Sequence, residues 1–387
     1  MRFKEFKIIK EAPGEEIPAK KMAGLDVEEP PIKKASDAEI KGLQQSIAGK
    51  VTKVGDAAIL HRVESILRKS GINRVAARFF KIDSDATKFI TRLSEIIIRM
   101  EVPVQDKMTF LREFGNSNMI VADELFDNSG TSKSMDTWFN GSETARTMFK
   151  LMINDPRLIG KDAGEAGPGE VAIACFHRDI TVGTDPKAGY DLKYGNDLIE
   201  IKTKASEASS GGGGRWTAMN DYPLQTYASG GDSLLDPDKL PASVSLFGTT
   251  RKQKNKLPSL IEILNDPIYL KVPEGADPNT VQPLDEAQQT AIFARLLKLA
   301  YINASEQTIA RAVNKYPNFN VNDIAPVAFE SYKAKQKFTS MMLMKASRDN
   351  ITSLHFTDLA KAAENFKFSP LYLSGQQRGM SLQAGLK

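Results

Sequence analysis

The sequence predicts an α/β (α+β) protein in which a mixed central sheet is flanked by helices. Three observations carry that expectation. A tight strand–turn–strand pattern ends in the alternating run at residues 198–204. Apolar runs of strand length crowd the end of the chain, at 338–344 and 351–356. Before and between them, apolar residues recur at helical spacing.

The 387 residues are enough for two or three domains. A net charge of +4 permits nucleic-acid binding without arguing for it, because clustering on one face decides. No apolar run reaches the ~20 residues of a membrane span, so no membrane partner is expected. The opening MRFKEFKIIKE has no apolar core segment of the signal-peptide kind. Cys175 is the single cysteine, which excludes an internal disulfide and points to a reducing compartment. Its apolar helical surroundings read as core. His61, His177 and His355 lie far apart, and neither zinc spacing nor a phosphate-loop or dinucleotide fingerprint is present.

Taken in order, residues 1–50 are rich in Lys, Glu and Pro and are expected to form an extended arm, with one short helix at 1–10. Such an arm suits a tether to a partner. Residues 51–135 are expected to be a helical subdomain. Leu60, Val63, Ile66 and Leu67 recur at helical spacing, as do Phe89, Leu93, Ile96, Ile97 and Met100, and Pro103 marks a stop. A further helix fits 108–114. The polar run at 128–134 reads as a linker. A core domain over 136–387 then begins with a helix at 142–153.

The stretch 167–204 organises the rest. Pro168 suits the first turn of a helix, and Glu170 lies where the helix dipole favours an acid. Residues 171–176 are apolar almost all round, so this helix should be buried. A turn at 194–197 joins two strands. Alternation puts Ile199, Ile201 and Thr203 on one face and Glu200 and Lys202 on the other. The hairpin brings Asp191 toward Glu200. Two hard oxygen ligands beside a lysine suit a magnesium ion that activates water. A cation also accounts for two like charges placed together.

Beyond this, 205–216 reads as a loop from which Arg215 can return to the acid face, and residues 223–228 begin a helix carrying Gln225 and Tyr227. Arg251, Lys252, Lys254 and Lys256 form the densest basic run, suited to phosphate contact without sequence readout. They should lie on the same side as Glu200. Residues 250–335 are expected to be a helical insertion, with a capping box of Asp285 and Gln288 and helices at 305–316 and 321–333. The terminal segments 338–344, 351–356, 366–373 and 380–386 should be strands that join the sheet of the hairpin, with a helix at 357–365.

Asp191, the tripeptide Glu200-Ile201-Lys202 and Glu170 on the preceding helix together resemble the PD-(D/E)XK nuclease superfamily, which has a restriction-endonuclease-like fold. Tyr190 stands where the motif's proline would be. Acid-x-Lys tripeptides recur elsewhere, as in Glu5-Phe6-Lys7 and Glu39-Ile40-Lys41, but only this one has the strand pattern, the upstream Asp and the acid-bearing helix. Gly214-Arg215 is similar to a pair that often follows the motif in phage-encoded members, and Gln225 and Tyr227 are similar to an element found in some members. The resemblance implies a metal-dependent deoxyribonuclease with Glu170, Asp191, Glu200 and Lys202 as catalytic residues. Asp191, Glu200 and the Ile201 backbone carbonyl would hold Mg²⁺ or Mn²⁺, and Lys202 would orient the attacking water or stabilise the phosphate. It implies DNA as partner, further phage proteins bound through the arm, and a place in the host cytoplasm or the virion. Two other readings remain: a non-catalytic virion or DNA-binding structural protein on the same fold, and an interaction protein whose acids are solvated surface charge.

Overall fold

The computed structural model describes residues 36–48, 57–80, 83–155, 158, 167–183, 189–205, 214–216, 222–242, 244–247, 257–346, 350–370 and 382–386. The helix expected at 1–10 and the basic run at 251–256 lie outside the described residues. Five helices lead: α1 (Asp37–Ala48), α2 (Ala57–Lys69), α3 (Gly71–Phe79), α4 (Asp83–Arg99) and α5 (Val104–Glu113). Short α6 (Ala122–Leu125), β1 (Ser132–Ser134) and α7 (Met135–Trp138) follow, then α8 (Glu143–Asn154) and α9 (Pro168–Phe176). The middle of the chain holds β2 (Thr181–Val182), β3 (Leu192–Tyr194), β4 (Asp197–Ala205) and β5 (Gly214–Trp216). Helices α10 (Pro223–Ala228), α11 (Leu260–Asn265), α12 (Glu286–Ala300), α13 (Glu306–Val313) and α14 (Val321–Gln336) come next. The end comprises β6 (Ser340–Ala346), β7 (Ile351–Phe356), α15 (Leu359–Ala362), β8 (Phe366–Pro370) and β9 (Leu382–Leu386).

The architecture is mixed α/β. Six strands form one mixed sheet in the order β1-β7-β6-β4-β3-β2. Only β4 and β6 run parallel; the other pairs are antiparallel. A parallel neighbour requires a long crossover, and here the crossover carries α10–α14. Helices cover both faces. Val63, Leu93, Phe110, Met148 and Ile173 pack with Ile199 and Ile201 on one side. Leu264, Leu297 and Phe329 pack with Leu354 and Phe356 on the other. Strand β6 belongs to both cores: Met342 and Met344 face the first, Met341 and Leu343 the second. That two-sided burial explains its unbroken apolar run.

Local signals account for the helix starts. Ser142 caps α8 by accepting from Ala145 N at 3.2 Å. Asp285 and Gln288 form the expected capping box of α12. At α9, Pro168 occupies the first turn and every residue from Gly169 to Phe176 is buried.

Three expectations need correction. Residues 37–48, assigned to the extended arm, form α1, with Ile40 and Leu43 buried in the first core. A reciprocal bond pair starts it, Glu39 N to Ser36 Oγ and Ser36 N to Glu39 Oε2, so the charged composition of the arm stops short of this amphipathic segment. Residues 132–134, read as linker, are an edge strand paired with β7. The terminal strands divide: β6 and β7 join the sheet of the hairpin, whereas β8 and β9 pair with β5 in a separate three-stranded sheet. Short antiparallel strands satisfy one another without needing the larger sheet.

Candidate active site

The β3–β4 hairpin closes through a two-residue turn. Tyr194 pairs with Asp197, and Gly195, at the first central position, has φ +57°, as a type II′ turn requires. β4 then outruns β3. Only Asp197–Ile199 pair with β3, while Ile199–Ala205 pair with β6. Asp191 sits at the step this leaves. Its backbone N donates to Ile199 O at 3.0 Å, and its Oδ2 accepts from Ile201 N at 2.7 Å. A strand residue directs its N–H and C=O to the same edge, so the Ile201 carbonyl also faces the Asp191 side. Gly189 sets the entry to β3. It has φ +72°, and a Cβ there would lie 2.2 Å from Gln336 O at the end of α14.

Glu200 is 3% exposed, on the sheet face opposite Ile199 and Ile201. Its Oε1 forms an ion pair with Lys202 Nζ and accepts a hydrogen bond from Tyr332 Oη on α14. Glu170 is buried at the third position of α9, where Oε2 accepts from Gly167 N at 2.8 Å. These groups are electrostatically one cluster. Burial first, and then the Glu200 charge, pushes the Asp191 carboxyl up to about 7. Burial, then Asp191, raises Glu170 well above the ordinary carboxylate range, against the Gly167 N–H and Lys202. Burial disfavours the Lys202 ammonium, yet Glu200, Tyr332 and Asp191 outweigh it and hold its pKa above the ordinary value.

Three carboxyl groups therefore face one ammonium, and the surplus negative charge adds to burial in raising Asp191 and Glu170. A hard divalent cation would relieve it. Among the described residues no group of three or more His, Cys, Asp or Glu side chains forms a cage for a metal ion. The donor set that fits is smaller: Asp191, Glu200 and the Ile201 carbonyl. Mg²⁺ is commonly held by one or two carboxylates and keeps several waters.

No family model, curated protein or solved structure matches this chain. No helix among the described residues is long and apolar enough to cross a membrane.

Glu170, Asp191, Ile201, Glu200 and Lys202 thus come together. Arg215 lies on β5, opposite Gln383 of β9, and β5 packs near β4 and α14. Arg251, Lys252, Lys254 and Lys256 lie outside the described residues. Gln225 is exposed on α10, which packs against α12. Cys175 is fully buried, and burial pushes its thiol pKa up, so it is no nucleophile. Two residues at or beside the site escaped sequence reasoning. Tyr332 comes from a helix far along the chain, and no local pattern announces it. Lys345 alternates with Leu343 and Met341 on β6, on the Glu200 face, half-buried and in no ion pair among the described residues. Only the parallel register reveals it.

Proposed function

We propose that this chain is a metal-dependent nuclease that hydrolyses phosphodiester bonds in DNA, a phage-encoded member of the PD-(D/E)XK superfamily. The observation that carries this reading is the meeting of Asp191, Glu200 and Lys202 where β4 outruns β3, with the Ile201 peptide on the same edge. A mixed sheet covered by helices on both faces supports the restriction-endonuclease-like fold.

Asp191, Glu200 and the Ile201 carbonyl would hold Mg²⁺ or Mn²⁺. Bound there, the cation supplies a more acidic water and neutralises charge on the phosphate. Lys202, kept charged and with its side chain 31% exposed, orients the attacking water or stabilises the negative charge developing on the phosphate. Glu170, fixed by Gly167 N, holds a water or a second ion. Lys345 adds positive charge on the same face for the DNA backbone.

One observation favours a second reading, a non-catalytic virion or DNA-binding structural protein. Glu200 is already satisfied by Lys202 and Tyr332, as an interior structural ion pair would be. Cleavage decides between the two. Incubation with linear, circular and single-stranded DNA in Mg²⁺ or Mn²⁺ should give products. Asp191→Ala and Glu200→Ala should abolish them and leave the fold intact, whereas Lys202→Ala should slow cleavage and keep metal binding. Wild-type protein that binds Mg²⁺ and cuts no DNA form would leave the structural reading standing.

A further inference from the structure

Among the described residues, Tyr332 is the donor to Glu200 that comes from outside the hairpin. It lies on α14 and is 5% exposed, with its ring edge-on to Phe338 at 5.6 Å. Its hydroxyl donates to Glu200 Oε1, the same oxygen that pairs with Lys202. Two donors on one oxygen fix the carboxylate's last torsion, which otherwise turns in a broad, two-fold well. The other oxygen, Oε2, meets neither of these two donors. Gly189 presses against the Gln336 carbonyl, which ties the entry of β3 to the helix that bears Tyr332.

We propose that Tyr332 is a positioning residue for cation binding: with Lys202 it holds Glu200 Oε1, so that Oε2 and Asp191 are presented together to one divalent cation. The inference rests on the metal-dependent reading above. Groups that orient a ligand without touching the metal contribute substantially to affinity, because the ligand needs no reordering when the metal arrives. Burial keeps the hydroxyl away from DNA, so its effect should fall on the cation and not on substrate binding. Burial and the Glu200 charge also raise its pKa, which keeps it a hydrogen-bond donor.

The test is calorimetric titration of the full chain with Mn²⁺, for wild type, Tyr332→Phe and Phe338→Leu. Tyr332→Phe keeps the ring and removes the hydroxyl; Phe338→Leu disturbs the ring contact and keeps the hydroxyl. Tyr332→Phe should bind Mn²⁺ on the order of 10-fold more weakly, and Phe338→Leu should bind like wild type. In cleavage assays Tyr332→Phe should raise the Mg²⁺ concentration for half-maximal rate by a similar factor. Its KM for DNA should stay unchanged, and its rate should recover at saturating Mg²⁺. Equal Mn²⁺ affinity in Tyr332→Phe and wild type overturns the proposal alone. Equal weakening in both variants overturns it in favour of packing. A wild type that binds no Mn²⁺ overturns the metal-dependent reading and this inference together.

Discussion

Asp191 is the residue on which charge and stability are most directly linked. Its carboxyl stands at about 7 in the folded chain against an ordinary 3.8, pushed up by burial and then by Glu200. A folded group that holds its proton more tightly than the unfolded one stabilises the fold at low pH. That contribution is lost as pH rises through the folded pKa. The metal-free protein should therefore lose stability from this site as pH rises from about 4 to about 7. A cation replaces the proton, so Mg²⁺ should raise the melting temperature more at pH 8 than at pH 5. Asp191→Asn should raise the metal-free melting temperature at pH 8 by a few degrees and abolish the Mg²⁺ response. Thermal scans with Mg²⁺ and with chelator, at both pH values, measure this; a Mg²⁺ response equal at the two pH values would count against it.

At the scale of elements, two glycines near the site separate backbone conformation from packing. Gly195 has φ +57°, and a Cβ added there would meet nothing within 4 Å, whereas at Gly189, with φ +72°, a Cβ would lie 2.2 Å from Gln336 O. Gly195→Ala should cost about 1 kcal/mol, the conformational penalty alone. Gly189→Ala adds a backbone clash that no side chain can relieve. It should cost clearly more and also weaken Mn²⁺ binding, because α14 and β3 must part. Denaturant midpoints of the two variants check the order; equal losses would mean that α14 does not brace the site.

The same elements mark how far the sequence could be read. The hairpin was legible because period-two alternation and a glycine turn are local signals, and they placed Asp191, Glu200 and Lys202 together. The capping box of Asp285 and the strand Ile351–Phe356 were legible for the same reason. Helix α1 was hidden by the charged sequence before it, although Ser36 and Glu39 form a capping pair. The parallel register of β4 with β6 arises from a crossover with no local signature. Tyr332 and Lys345 were therefore out of reach, as was the separate pairing of β5, β9 and β8.

At the scale of the molecule, the sheet is shared property of two hydrophobic cores. Met341 and Met342 are neighbours in sequence and belong to opposite cores. Neither core can lose its packing without exposing one face of β6, and β6 holds β4 in place through seven paired positions. The site lies on β4, so its geometry depends on both. A lesion in one core should thus be felt in the other. Leu297, fully buried in the crossover core, offers the lesion, and Trp138, fully buried in the first core, offers the reporter. Leu297→Ala should cost about 2–5 kcal/mol by the removed side chain and the cavity left behind. In a Trp216→Phe background, Trp138 fluorescence and far-ultraviolet circular dichroism should move together to lower denaturant, as one cooperative transition. If Trp138 keeps its wild-type midpoint while circular dichroism shifts, the two faces unfold separately. The sheet would then not be the coupling element between the two cores.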